Sequence, residues 1–242
     1  MKAALALILI LVTGVCLAQT PVTKSYPVKQ GQGIALRFDY PQVVRISTWD
    51  KNEIAITGTV SINGGEHDQA FELLSSESEG RIYIENRIND LKNLPRRITI
   101  TRGTEKITFK SQEDYDKYCE QYGRGYQVKN WGTDIEILLE VKVPRNTDTQ
   151  LECVYGIAEV KNFYGPLSVK ATYGGVDVAI QEKSTGELTA ETNYGQIYTN
   201  LDTKFQGVED RNFHMLVKVK PGSGPRYSFE SKYGNVYLRK AL

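Results

Sequence analysis

The chain has 242 residues, of which 40% are hydrophobic and 24% charged, and its formal net charge is +1. Neither half is strongly basic, so the charge distribution argues against a nucleic-acid partner and against a polybasic membrane anchor. A chain of this length can bury a substantial core, as one large domain or two small ones.

The N-terminus has the pattern of a secretory signal peptide. Lys2 precedes an apolar run from Ala3 to Val12, and Ala18 stands before a polar segment that begins at Gln19. The run is short for a bilayer core of roughly 30 Å, and no later segment resembles a membrane span. The weaker alternatives to a cleaved signal peptide are a retained membrane anchor and a lipoprotein acylated at Cys16. We therefore predict a signal peptide over residues 1–18 and export through the secretory pathway to the periplasm, the outer envelope or the cell surface.

Residues 19–144 are predicted to form a β-rich N-terminal region, because apolar residues alternate with polar ones along most of it. Ile34, Leu36 and Phe38 share one face of such a strand, and a longer strand ends at Pro144. One segment has helical spacing instead: Tyr115, Tyr118, Cys119 and Tyr122 fall on a single helical face. A short helix over residues 112–122 is expected there, with Ser111 as its N-cap and Gly123 as its C-cap.

The region 145–242 contains a strand repeat marked by Tyr-Gly steps. Four steps share one pattern, in which the apolar phase of the chain flips from odd to even positions across the step. Side chains alternate strictly along a strand, so each flip requires one extra residue and predicts a corner, with the tyrosine as the last inward residue before it. Glycine tolerates the backbone angles of such a corner. The repeat markers are Tyr155, Gly156, Tyr173, Gly174, Tyr194, Gly195, Tyr233 and Gly234.

Equivalent positions of the four units support this alignment. The column two residues before the tyrosine holds only small residues, which suits a narrow interior: Cys153, Ala171, Thr192 and Ser231. The column three residues before it holds only charged ones: Glu152, Lys170, Glu191 and Glu230. We predict an all-β protein whose C-terminal part is a β-solenoid-like stack of strand–corner–strand rungs. A twisted β-sandwich of similar units is the alternative.

Val143-Pro144, Leu151 and the Tyr-Gly rungs resemble the bacterial putative-adhesin family of β-strand-repeat proteins. The resemblance covers about the last hundred residues and the overall layout. It implies an exported protein with a β-rich N-terminal part and a C-terminal strand repeat. It implies no site residues, because the biochemical role of that family is undefined.

Cys119 and Cys153 remain after removal of the signal peptide. An exported pair could form one disulfide, and the two would be close if the predicted helix capped the first rung. Both also stand at positions that the pattern marks as buried, so two free buried thiols are the other interpretation. The sequence leaves both open.

The sequence contains no catalytic motif that we recognise, and it suggests neither a cofactor nor a metal ion. His67 follows a turn-forming Gly-Gly step beside Glu66 and Asp68, and His214 lies in a predicted strand. Glu159 and Asp177 are the one pair of carboxylates that neighbouring rungs would bring together, as glycoside hydrolysis requires. An ordinary solvated column is the preferred interpretation of that pair.

Tyr198 and Tyr237 share the column of Glu159 and Asp177, four residues after the corner tyrosines. They are predicted as outward aromatic residues on neighbouring rungs, where they could offer a platform to a sugar or a protein. The leading hypothesis is a non-enzymatic, adhesin-like envelope or surface protein that binds an unknown protein or glycan through flat sheet faces. The alternatives are a polysaccharide-active β-solenoid enzyme and a structural or sensory periplasmic domain.

Overall fold

The computed structural model of the chain describes residues 19–211 and 213–241, and within β17 it describes the backbone alone. The predicted signal peptide, residues 1–18, lies outside the described residues. None of the helices in the described ranges is long and apolar enough to cross a membrane.

Strands dominate the described chain, which confirms the all-β prediction. The strands are β1 Thr20–Pro27, β2 Gly33–Phe38, β3 Val43–Trp49, β4 Glu53–Ile62, β5 Phe71–Ser78, β6 Arg81–Ile88, β7 Arg97–Arg102, β8 Glu105–Phe109, β9 Val128–Gly132, β10 Ile135–Pro144, β11 Thr149–Cys153, β12 Ile157–Val160, β13 Leu167–Ala171, β14 Val176–Ile180, β15 Leu188–Thr192, β16 Ile197–Thr199, β17 Gln206–Arg211, β18 His214–Val219, β19 Tyr227–Ser231 and β20 Val236–Lys240. The α-helix, α1, spans Gln112–Tyr122.

Five strand–corner–strand units form the body of the fold. Each unit gives its first strand to a nine-stranded sheet and its second strand to an eight-stranded sheet, and neighbouring units pair in parallel in both. We name each unit after its corner tyrosine. They are the Tyr40 unit (β2, β3), the Tyr155 unit (β11, β12), the Tyr173 unit (β13, β14), the Tyr194 unit (β15, β16) and the Tyr233 unit (β19, β20).

The units do not stack in chain order. The Tyr233 unit lies between the Tyr173 and Tyr194 units, because β19 pairs with both β13 and β15. The outer edge of β15 is occupied by β18, which pairs with it in antiparallel fashion and carries β17 on its far side. A stack in sequence order, as a simple solenoid predicts, is therefore wrong for the last two units.

One continuous core fills the space between the two sheets. Its buried residues run from Ile34 to Leu238 and follow the alternation of the strands. The small column predicted to face inward does so: Cys153, Ala171, Thr192 and Ser231 are all nearly inaccessible. Strands from both sides of the boundary predicted at residues 144 and 145 share these sheets, since β11 pairs with β2 and β12 with β3. The division into two regions itself stays a prediction.

A smaller element stands beside this stack. Strands β8, β7 and β9 form a three-stranded sheet, and α1 packs on it through a second cluster that includes Phe109, Tyr115 and Cys119. The Ser111 hydroxyl accepts a hydrogen bond from the Asp114 amide at the helix N-terminus, and Gly123 is the C-cap. The predicted helix is thus confirmed, although its apolar face covers this small sheet and not the first corner unit.

Candidate binding faces

The corner tyrosines form a ladder along one edge of the stack. Neighbouring rings stack with centroids 5.1–6.0 Å apart and interplanar angles of 5–23°. The order along the ladder is Tyr40, Tyr155, Tyr173, Tyr233, Tyr194 and Phe213. Offset stacking at such distances is favourable for aromatic rings. Each inner ring has both faces covered by its neighbours, so the ladder presents ring edges and hydroxyls to solvent.

The prediction that each tyrosine points inward is wrong. Tyr155 is 44% exposed and Tyr194 is 61% exposed, and the others of the repeat lie between these values. The physical reason is that the first strand of each unit ends two residues before the tyrosine, as β13 does at Ala171 before Tyr173. Beyond that point the alternation of a strand no longer fixes the direction of a side chain.

The glycines of the corners form a second column beside the ladder. A Cβ atom on Gly174 would lie 1.6 Å from the carbonyl oxygen of Gly156, and one on Gly234 would lie 2.1 Å from that of Gly174. Of the four repeat glycines, Gly156 has a positive φ, at 86°. For Gly174, Gly195 and Gly234 the close approach of the next corner, and not the backbone angle, therefore requires glycine.

Tyr198 and Tyr237 lie on the outer face of the eight-stranded sheet, in register on β16 and β20. Their rings stack with centroids 5.2 Å apart, and the Arg239 guanidinium lies 5.2 Å from the centroid of Tyr237. Tyr198 is 50% exposed, whereas Tyr237 is half-buried. The structure thus brings the two predicted binding residues together at one end of this face. Whether they bind anything stays a prediction.

Glu159 and Asp177 are also adjacent in register, on β12 and β14. Each carboxylate is held by an arginine from a neighbouring strand. Arg45 Nε lies 3.0 Å from Glu159, and the Arg239 guanidinium binds both oxygens of Asp177 at 2.7–3.0 Å. The arrangement is an ion-paired column on the outer face of the sheet.

Within the described residues, Cys119 and Cys153 are free thiols and both are buried. Cys119 belongs to the cluster under α1, and Cys153 belongs to the main core between the two sheets. The structure thus places the two thiols in separate clusters, without a bond between them. Whether they are joined in the exported protein stays a prediction. Burial raises the pKa of the Cys153 thiol to about 12, which keeps this group protonated and unreactive at neutral pH.

The two histidines differ in their contacts: among the described residues Nδ1 of His67 is buried without a hydrogen-bond partner, whereas His214 is hydrogen-bonded. Next to His67, Glu66 pairs with Arg97 at 2.5 Å, and hydrogen bonding from Lys110 lowers the pKa of the Glu66 carboxyl. His214 Nε2 lies 2.8 Å from a carboxylate oxygen of Glu191. Across the described ranges, no group of three His, Cys, Asp or Glu side chains is placed to hold a metal ion.

A concave surface, which we call the trough, crosses the outer face of the nine-stranded sheet. Its volume is 910 Å³ and it spans β5, β6, β2, β11 and β13. A row of short or uncharged side chains forms its floor, each in register with the next: Ser76, Tyr83, Ala35, Gln150 and Ser168. The same row continues along the sheet with Ser228 and Thr189.

Charged residues border this floor on both sides, and they are paired with one another. Within the lining, Arg37 Nη1 lies 2.7 Å from a Glu152 oxygen and Arg87 Nη2 lies 3.9 Å from a Glu85 oxygen. On the other side of the floor, just beyond the lining, Arg81 pairs with Asp148. Further along the sheet, Lys170 approaches Glu230 at 3.4 Å. The walls of the trough therefore carry both signs of charge in close pairs, and no single sign dominates.

The sequence analysis did not predict the trough, although the sequence contains a pattern that corresponds to part of its floor. The column five residues before the corner tyrosine reads Gln150, Ser168, Thr189 and Ser228, all polar and uncharged. This column forms the floor over the repeat units. Its continuation over Ala35, Tyr83 and Ser76 depends on pairing with strands outside the repeat. No local pattern in the sequence indicates that pairing.

Comparisons with known proteins give two distant structural similarities. A putative cell adhesion protein from Clostridium sporogenes is 13% identical, with a TM-score of 0.43, over 91% of this chain and 100% of that chain. A putative adhesin from Bacteroides fragilis is 11% identical, with a TM-score of 0.22, over 92% of this chain and 98% of that chain. No protein-family model and no curated protein matches the sequence. The resemblance to the β-strand-repeat family therefore stays a prediction.

Proposed function

We propose that the chain is a non-enzymatic, exported protein of the cell envelope or surface, adhesin-like in function, that binds a protein or glycan through an outer face of its sheets. The N-terminal sequence supports export, because residues 1–18 have the charged, apolar and small segments of a signal peptide. The compartment in which the mature chain ends stays part of the proposal.

The trough is the observation that carries the binding function. Concave sites with a few convergent polar groups are the usual places where proteins bind ligands. Each of β6, β2, β11 and β13 lies between two hydrogen-bonded neighbours, so the floor is held rigid on both sides. A surface that is already ordered loses little conformational entropy on binding, which favours affinity.

The outer face of the opposite sheet is the second surface to compare. Tyr198 and Tyr237 give it an aromatic patch at one end, but the two rings stack on each other. One face of each ring is therefore unavailable to a ligand. For this reason we assign the binding function to the trough, and we use the Tyr198 patch as the internal comparison.

Binding to immobilised envelope material tests the proposal with the mature chain, residues 19–242. Ser168→Arg would place a long cation on the trough floor, and Tyr198→Ala would remove half of the patch on the opposite sheet. Thr57→Arg is the matched control, because Thr57 is exposed on β4 of the eight-stranded sheet, away from both surfaces. We expect Ser168→Arg alone to abolish retention. Equal retention of all three variants, or none by the parent protein, would overturn the proposal.

Export has its own test. The mass of the chain isolated from the producing cell should correspond to a mature N-terminus at Gln19, and the protein should fractionate with the envelope or the medium. A full-length chain in the cytoplasmic fraction would refute the predicted signal peptide without affecting the binding experiment.

A further inference from the structure

The side chains of the trough indicate which class of ligand it binds. This inference rests on the binding function proposed above. Its floor offers hydroxyl groups from Ser76 and Ser168, the amide of Gln150 and the ring of Tyr83. Tyr83 is 38% exposed. It lies on β6, away from the aromatic ladder, so stacking in that ladder does not cover its ring. The site thus combines one aromatic surface with several groups that both donate and accept hydrogen bonds.

The charges around the floor argue against a charged ligand. Arg37 and Arg81 are each bound to a carboxylate across a strand boundary, at Glu152 and Asp148. A polyanion would have to compete with those carboxylates, and a polycation would have to compete with the arginines. The other charged residues of the lining are paired as well, Arg87 with Glu85 and Lys170 with Glu230. An uncharged polar ligand would leave all of these pairs intact.

The backbone of the floor argues against a peptide that binds by extending a sheet. Such peptides require a free strand edge. Here β6, β2, β11 and β13 are interior strands whose N–H and C=O groups are used on both sides. The remaining strand of the floor, β5, is an edge strand, but it contributes only the end of the row at Ser76. Over the four interior strands, recognition must therefore occur through side chains, along a line that crosses the strands.

The repeat distance along that line indicates a polymer. Neighbouring strands lie about 4.8 Å apart, so the floor presents a new side chain at each such step. One pyranose ring in an extended chain has a comparable length. The uncharged row continues beyond the trough through Ser228 and Thr189, which would let a longer chain make further contacts of the same kind.

We infer that the trough binds a neutral polysaccharide chain, which lies across the strands with one sugar ring on Tyr83 and its hydroxyls bonded to Gln150 and the serines of the floor. The ligand class follows from three features that occur together: an exposed aromatic ring, a row of uncharged polar groups at strand spacing, and walls whose charges are already paired.

Calorimetric titration of the mature chain with defined oligosaccharides tests this inference. The probes are cellohexaose and hexa-N-acetylchitohexaose as neutral chains and an oligogalacturonate of the same length as the acidic one. We expect a neutral chain to bind, with an affinity that changes little when salt is added, because no counterions are released. Tyr83→Ala and Ser168→Arg should each weaken binding about tenfold or more, whereas Thr57→Arg should leave it unchanged. Thermal unfolding of every variant establishes that the fold is retained.

The outcomes separate this inference from the proposed function. Binding of the acidic oligomer alone, or binding that Ser168→Arg does not weaken, overturns the neutral-polysaccharide assignment. If the neutral probes fail to bind while Ser168→Arg still abolishes retention on envelope material, the ligand class is wrong and the trough remains the binding face. If Ser168→Arg changes neither measurement, both statements fail.

Discussion

The hydroxyl of Ser231 donates a 2.7 Å hydrogen bond to the carbonyl oxygen of Gly174 in the neighbouring unit, and it accepts a 2.9 Å hydrogen bond from the amide of Gly234 in its own corner. Thr192 repeats the first of these bonds one unit further, to the carbonyl oxygen of Gly234. The hydroxyls of the small inward column and the glycines of the corners therefore stabilise the stack together. Each buried hydroxyl satisfies a carbonyl oxygen that the close approach of two corners has removed from water.

Replacing Ser231 with alanine tests the role of its hydroxyl group in the corners. The variant loses both hydrogen bonds and leaves the Gly174 carbonyl without the hydroxyl, so we expect the free energy of unfolding to fall by about 1–3 kcal/mol. Urea denaturation measures the change. Ser228→Ala is the matched control, because Ser228 lies on the same strand and points to the outer face. Its effect should stay within about 0.5 kcal/mol. Equal effects of the two changes would contradict the role given to the Ser231 hydroxyl.

Gly174→Ala should be more damaging, for steric reasons. The added methyl group would lie 1.6 Å from the carbonyl oxygen of Gly156, which belongs to backbone and cannot rotate away. We expect a loss of about 3 kcal/mol or more, or failure to fold. Gly125→Ala provides the comparison, since a Cβ there would meet only the tip of Arg102, at 3.8 Å. Normal stability of Gly174→Ala in thermal unfolding would mean that the corners are not packed as described.

The tyrosine ladder is expected to stabilise the stack through its rings and not through its hydroxyls. Tyr173 stacks on Tyr155 at 5.1 Å and on Tyr233 at 5.2 Å. Tyr173→Ala removes both contacts and should cost about 1–3 kcal/mol, at about 0.5–1.5 kcal/mol for each pair. Tyr173→Phe keeps both contacts and should be nearly neutral. A phenylalanine variant as unstable as the alanine variant would instead assign the stabilisation to the hydroxyl.

Much of the fold could be predicted because alternation and capping are local properties. The flip of the apolar phase located the corners, and the small column correctly predicted the inward residues Ala171 and Ser231. The spacing of Tyr115 and Cys119, together with Ser111, predicted the helix with its observed bounds. The register of Tyr198 with Tyr237 followed from aligning the units on their tyrosines.

The parts that could not be predicted depend on contacts between distant segments. The Tyr40 unit escaped detection because its corner holds one residue more than the others. Phe38 pairs with Cys153, and Val44 pairs with Ala158. Five residues lie between Phe38 and Val44, whereas four lie between Cys153 and Ala158. The additional residue cancels the phase flip, and Tyr40 takes a positive φ of 69° without a glycine beside it. The position of the Tyr233 unit depends on the pairing of β19 with β13 and β15, while β18 occupies the other edge of β15. The floor of the trough depends on the pairing of β11 with β2, of β2 with β6 and of β6 with β5.

Alkaline pH should destabilise the protein through Cys153, whose side chain is inaccessible to solvent. Burial raises the pKa of its thiol to about 12, while an unfolded cysteine ionises near pH 8.5. Between these values the unfolded state releases a proton that the folded state retains. Stability therefore falls as pH rises, by at most about 1.4 kcal/mol per pH unit from this group, and below this window the group contributes no pH dependence. Cys153→Ala should flatten that decline, because Ala171 shows that the column accepts alanine. Urea denaturation of both proteins from neutral to alkaline pH measures the two slopes, and parallel curves would contradict a protonated, buried Cys153.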